Sequence, residues 1–118
     1  MKKDLLELTL TTLDDMKANA VNNMNVSALT NVSDYMIFST GNSSRHVRSI
    51  ADKIAENVKK DGHSILGIEG YERSQWVLID LGNIIVHIML AETREFYKLE
   101  DLWSLGFREE EPEQWKSR

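Results

Sequence analysis

The chain has 118 residues, with 19 acidic against 14 basic side chains for a net charge of −5, 42% apolar and 28% charged residues, and no cysteine. That is the balance of one folded domain with a real core; it excludes general disorder, disulfides, thiolate zinc sites and cysteine nucleophiles, and is compatible with a reducing cytoplasm, the location expected here. It also argues against affinity drawn chiefly from nucleic-acid phosphates. No apolar run approaches the ~20 residues of a membrane-spanning helix, and Met1-Lys2-Lys3-Asp4, with acids entering at once, does not read as a signal peptide.

Leu6, Leu10, Leu13 and Met16 recur at helical spacing, with Leu5 and Leu8 widening the stripe, and predict an amphipathic helix over residues 3–17. Ala20 to Val26 alternates weakly and contains Asn22, Asn23 and Asn25, which suits an edge strand. Tyr35 to Ser39 is a short aromatic-rich run that reads as a buried strand, closed by Gly41. Asn42 or Ser43 then caps a helix in which Val47, Ile50, Ala51, Ile54, Ala55 and Val58 form one continuous apolar stripe. Lys59 and Lys60 favour its negative end, and Gly62 stops it. Strands follow at Ile65 to Ile68, Gln75 to Leu81 and Ile84 to Leu90, the last two joined by the hairpin turn Gly82-Asn83. A second helix is expected over Glu92 to Trp103. Leu105 to Arg118 reads as a poorly ordered acidic tail to a domain that spans residues 1–104. The fold class is α/β, a mixed sheet of about five strands with flanking helices.

If Gly82-Asn83 closes a two-residue turn, Leu81 faces Ile84 and Trp76 faces Met89. Alternation then splits the hairpin into two faces. One carries Val77, Ile79, Leu81, Ile84, Val86, Ile88 and Leu90 and must be core. The other carries Trp76, Leu78, Asp80, Ile85, His87 and Met89, an indole, a thioether and aliphatics around a carboxylate and an imidazole. Such a mixture resembles the centre of a protein interface. The same pattern arises if a helix covers this face from within and leaves His87 a half-buried polar residue. Both readings stand at this level.

The histidines His46, His63 and His87 have no metal-ligand spacing, and no Walker loop, dinucleotide fingerprint or nucleophile elbow is present. No catalytic residue, metal site or cofactor is expected. The loop Ser39 to His46 is the most enzyme-like feature, because free amides at a helix start can meet an anion. Together with Asp80 it defines the alternative function, a small nucleotide- or phosphate-binding enzyme. The plainer reading is a capped helix.

Several segments together resemble the ribosomal silencing factor (Iojap) family. They are Asp34-Tyr35-Met36-Ile37 with Thr40-Gly41-Asn42-Ser43-Ser44-Arg45-His46-Val47, Ile68-Glu69-Gly70, Trp76 to Met89, and Arg94 to Trp103, in order and over about residues 4–104. Asn83 and Asn25 stand where the family commonly has aspartate. The resemblance implies a fold similar to nucleotidyltransferases without their paired metal-binding carboxylates. It also implies a translational repressor rather than an enzyme. Such a repressor binds the large ribosomal subunit through its fourteenth protein, blocks subunit joining and lowers translation when nutrients are short. On this reading Trp76, Leu78, His87 and Met89 form the contact centre, with Asp80, Glu69 and Tyr97 in support. A minor ribosomal RNA contact and a homodimer off the ribosome are compatible with it, and no membrane partner is expected.

Overall fold

The computed structural model describes residues 4–104; the expected acidic tail from Leu105 onward lies outside the described residues. Helix α1 (Leu5–Asp15) starts at Asp4, whose carboxylate accepts the Glu7 amide at 3.0 Å and so satisfies one free N–H of the first turn. Strand β1 (Asn19–Asn25) follows, then β2 (Tyr35–Gly41). Helix α2 (Ser44–Lys60) is capped by Ser43, whose hydroxyl accepts the His46 amide, and ends before Gly62 at φ 87°. Strands β3 (Gly67–Glu69), β4 (Trp76–Asp80) and β5 (Ile84–Leu90) come next, and two short helices, α3 (Ala91–Tyr97) and α4 (Leu99–Ser104), close the described chain.

The strands form one five-stranded sheet in the order β1-β2-β5-β4-β3. Strands β2 and β5 are parallel, and the other pairs are antiparallel. A parallel pair needs a long crossover, which α2, β3 and β4 supply. The hairpin has the expected register, with Trp76 opposite Met89, Asp80 opposite Ile85, and the Leu81 amide bonded to the Ile84 carbonyl at 2.9 Å. Gly82 takes φ 93°, the left-handed conformation that the turn requires.

The aliphatic face of the hairpin is core. Val77, Ile79, Leu81, Ile84, Val86 and Ile88 pack with Ile37 of β2, Leu13 of α1 and the α2 stripe Val47, Ile50, Ala51, Ile54 and Val58. Both large helices therefore lie on one side of the sheet.

Three expectations need correction. The third strand is Gly67–Glu69 rather than Ile65 to Ile68, because the Leu66 amide already bonds the Asp80 carbonyl as the chain joins the edge. The last helix is broken, since Lys98 adopts φ 51° and caps α3. That break turns α4 so that Leu99, Leu102 and Trp103 pack back on the sheet, whose apolar contacts offset the strain at Lys98. The first strand runs one residue earlier than read and is an edge strand, as its composition suggested. Two of its asparagines are tied down: Asn22 donates to Glu100 at 2.8 Å, and Asn25 accepts from the amide and hydroxyl of Ser27.

Candidate docking face

The second face of the sheet is half covered. Over β1, β2 and β5, helix α4 lays Trp103 against Val26, Met36, Phe38, Ile85 and Met89, with Leu99 and Leu102 beside it. A part-buried ionic fork holds this cover down. Arg94 of α3 donates to both carboxylate oxygens of Glu100, at 2.7 and 2.8 Å, and to Thr40 of β2 at 2.8 Å. The Arg94 hydrogen bonds hold the Glu100 carboxyl below the usual carboxylate range.

The other half, β4 and β3, is less covered, with the Tyr97 ring of α3 against Trp76. Trp76, Leu78 and Asp80 are half-buried there, Glu69 is exposed, and Glu69 lies opposite Leu78. Because β5 runs straight into α3, Tyr97 returns to the sheet beside Trp76, with ring centroids 5.0 Å apart. Tyr97 is 53% exposed and Phe96 77%, and the two meet edge to face at 4.9 Å. Phe96 was not singled out from the sequence, although an adjacent aromatic pair in an otherwise polar helix was the available signal.

The residues expected at the contact centre therefore divide. Trp76 and Leu78 reach the surface, flanked by the carboxylates of Asp80 and Glu69 and by Tyr97. His87 is 1% exposed and Met89 is likewise buried, both beneath the α3–α4 cover. Neither reaches solvent, so in this structure they shape the face from below. His87 stacks on Phe38 at 4.7 Å, and its Nδ1 accepts the Trp76 indole N–H at 3.0 Å. Burial pushes its imidazole from 6.5 down to about 4, partly opposed by Glu100.

A cleft of about 440 Å³ adjoins Trp76, lined by Ile68, Gly70, Tyr71, Glu72, Arg73 and Gln75. The loop that walls it is tied to α2. Arg48 donates to the Ser74 hydroxyl at 3.1 Å and the Glu72 carbonyl at 2.9 Å, and Tyr71 donates to Asp52 at 2.8 Å. Gly70 at φ 79° is required here, since a Cβ would lie 2.2 Å from the Trp76 carbonyl oxygen.

The enzyme-like loop is a brace. The Asn42 amide donates to His46 Nδ1 at 2.9 Å, which leaves Nε2–H to donate to the Met16 carbonyl at 2.8 Å and join α1 to α2. Gly41 pairs with Leu90 and Asp80 with Ile85, so the loop and Asp80 sit toward opposite ends of β5, about 17 Å apart along the strand. They do not form one site. Among the described residues no three His, Asp or Glu side chains converge as a metal-holding group, and no helix is long and apolar enough to cross a membrane.

These features define a small α/β protein with an apolar, acid-flanked face suited to binding. Residues 1–117 match the sequence model of the family described as ribosomal silencing factor during starvation, and the chain belongs to that family. The ribosomal silencing factor of Haemophilus influenzae is 40% identical over 100 residues, 85% of this chain and 98% of the relative. That of Halalkalibacterium halodurans is 37% identical over 101 residues, 86% of each chain. A crystal structure of a Chromobacterium violaceum protein superposes with a TM-score of 0.83 at 35% identity, covering 89% of this chain and 87% of the other. More distantly, a mouse protein named mitochondrial assembly of ribosomal large subunit protein 1 is 36% identical over 75 residues, 61% of this chain and 33% of its own length.

Proposed function

We propose that this chain is a translational repressor that docks on the large ribosomal subunit through its fourteenth protein and sterically blocks joining of the small subunit, lowering translation when nutrients are short. The observation that carries this reading is the less covered half of the sheet. Trp76 and Leu78 offer an apolar centre, and Glu69 and Asp80 frame it with negative charge. A face of this kind complements a basic ribosomal protein, and opposite charge speeds docking. Membership of the family and the large-subunit name of the mouse relative support the ribosome as partner. The role is binding rather than catalysis, in keeping with the separation of the Gly41 loop from Asp80. Ribosomal RNA contributes at most a minor contact on this reading. Off the ribosome, the same apolar face pairs with a second copy.

The test is sedimentation of purified large subunits with the protein, followed by addition of small subunits. The protein travels with the large subunit and the joined-ribosome peak falls. Trp76→Ala keeps its fold, because Trp76 is only half-buried, and loses roughly 30- to 1,000-fold in affinity, the range for a central interface indole at ~2–4 kcal/mol. A folded wild-type protein that stays in the supernatant refutes the proposal. A Trp76→Ala variant that binds like wild type refutes the placement of the face. Melting with nucleoside triphosphate and magnesium tests the enzyme alternative: ligand at 100 times its Kd would add ~2.7 kcal/mol, and no shift is expected.

A further inference from the structure

His87 is buried and uncharged, lies one strand away from the face, and touches no surface. It is also the hydrogen-bond partner of the residue at the centre of that face. Leu78 is directly opposite it, and Trp76 is its diagonal neighbour across the β4–β5 ladder. We infer that His87 is a positioning residue for docking: its Nδ1 accepts the Trp76 indole N–H and fixes the orientation in which Trp76 meets the partner. This role rests on the docking reading above, since Trp76 is the residue positioned.

Three features carry it. The imidazole cannot swing away, because it stacks within 5° of parallel on Phe38 at 4.7 Å and is 1% exposed. Its tautomer is set by chemistry. An indole nitrogen can only donate, so Nδ1 is the acceptor and the ring proton sits on Nε2, which makes no hydrogen bond among the described residues. A buried donor left unmade costs free energy. The arrangement keeps that cost while placing the acceptor nitrogen toward Trp76, and a phenyl ring would fill the same space without it. Finally, the indole ring also meets Tyr97, centroids 5.0 Å apart, so the nitrogen contact and the ring contact together restrict the indole orientation. The low proton affinity of the buried ring keeps Nδ1 free to accept at neutral pH. Glu100 of α4 is the charge that acts on it, and Glu100 is itself engaged by Arg94.

A rigid anchor binds better than a mobile one because less side-chain freedom is lost on association. The experiment uses the full chain with His87→Phe, which keeps a stacked ring but removes the acceptor, and His87→Asn, whose side-chain oxygen can take the place of Nδ1. His87→Phe is expected to retain its fold and to bind large subunits roughly 3- to 10-fold more weakly, the scale of one net hydrogen bond. His87→Asn recovers binding in part. In a Trp76→Phe background, which lacks the indole N–H, His87→Phe produces no further loss. Nitrogen NMR of the free wild-type protein shows the Nε2-protonated tautomer, and solvent exchange of the Trp76 indole proton speeds up in His87→Phe. Equal binding of wild type and His87→Phe overturns the inference. So does an equal His87→Phe loss with and without the indole N–H, or an Nδ1-protonated ring. If His87→Phe fails to fold, His87→Asn and the tautomer decide. If the wild-type protein does not bind large subunits, the docking reading falls, while tautomer and indole exchange still settle whether His87 fixes Trp76.

Discussion

Replacing His87 by phenylalanine should flatten part of the acid limb of this protein's stability curve. In the folded state the imidazole is lowered from 6.5 to about 4, chiefly by burial. The unfolded chain takes up a proton that the folded state excludes, so acid favours unfolding. The contribution is fully present above 6.5, falls as the pH drops through that value and levels off near 4, for a total of about 3 kcal/mol. Between pH 7.5 and pH 5 the wild-type protein should lose about 2 kcal/mol more than His87→Phe. The sign is opposite to that of a histidine holding an ion pair, which would gain stability in acid. Glu100 also lowers stability in acid, because its depressed carboxyl must be protonated; the hydrogen bonds of Arg94 and Asn22 that depress it are present in both proteins, and the charge of His87 is the last of its causes. The comparison therefore reads chiefly the ring. The assay is urea unfolding followed by circular dichroism at half-unit steps of pH, with midpoint and slope fitted at each step. At pH 7 the two proteins should lie close together, since loss of the Trp76 bond is offset by removal of the unpaired Nε2–H. Curves that stay parallel down to pH 5 would refute a buried neutral His87.

Glu100→Gln should lower the unfolding free energy by about 1–2 kcal/mol, and with it the urea midpoint, because it breaks a two-oxygen fork that joins α3, α4, β1 and β2, discounted for partial exposure. Glu95→Gln, which breaks the exposed pair with Lys98, should leave the midpoint in place; equal losses would mean that the fork does not hold the cover. Gly70→Ala should cost more than Gly82→Ala. Both impose a left-handed conformation, worth ~1–2 kcal/mol, but only at Gly70 does the new Cβ strike backbone, 2.2 Å from the Trp76 carbonyl oxygen, against 3.7 Å from a Leu66 methyl at Gly82. Gly70→Ala should also shift the Trp76 indole resonance, and indistinguishable midpoints for the two variants would refute the close approach.

Much of the fold was legible because it is local. The α2 stripe, the Ser43 cap, the Gly62 stop and the Gly82-Asn83 hairpin each follow from neighbours a few residues apart, and burial periodicity on a strand has only two phases. The hairpin register came with the turn, so the split between the aliphatic face and the Trp76 face came with it. The helix break at Lys98 was not legible, since Lys98 is an ordinary helix former and its left-handed φ is imposed by where Trp103 must go. The candidate site was legible as a set of residues but not as a surface.

By itself the sequence determined helix α2, the strands β2, β4 and β5 to within a residue or two at their ends, the pairing of β4 with β5 and the unusual chemistry of one sheet face, because spacing along the chain dictates which side chains share a side. Only the tertiary structure decided that α1 and α2 take the aliphatic face, that α4 covers His87 and Met89, and that Trp76 and Leu78 remain open. An apolar strand face looks the same in sequence whether a partner or the chain's own helix will cover it. The choice here is made by contacts between distant residues, such as Asn22 with Glu100 and Arg94 with Thr40, and no local pattern encodes them.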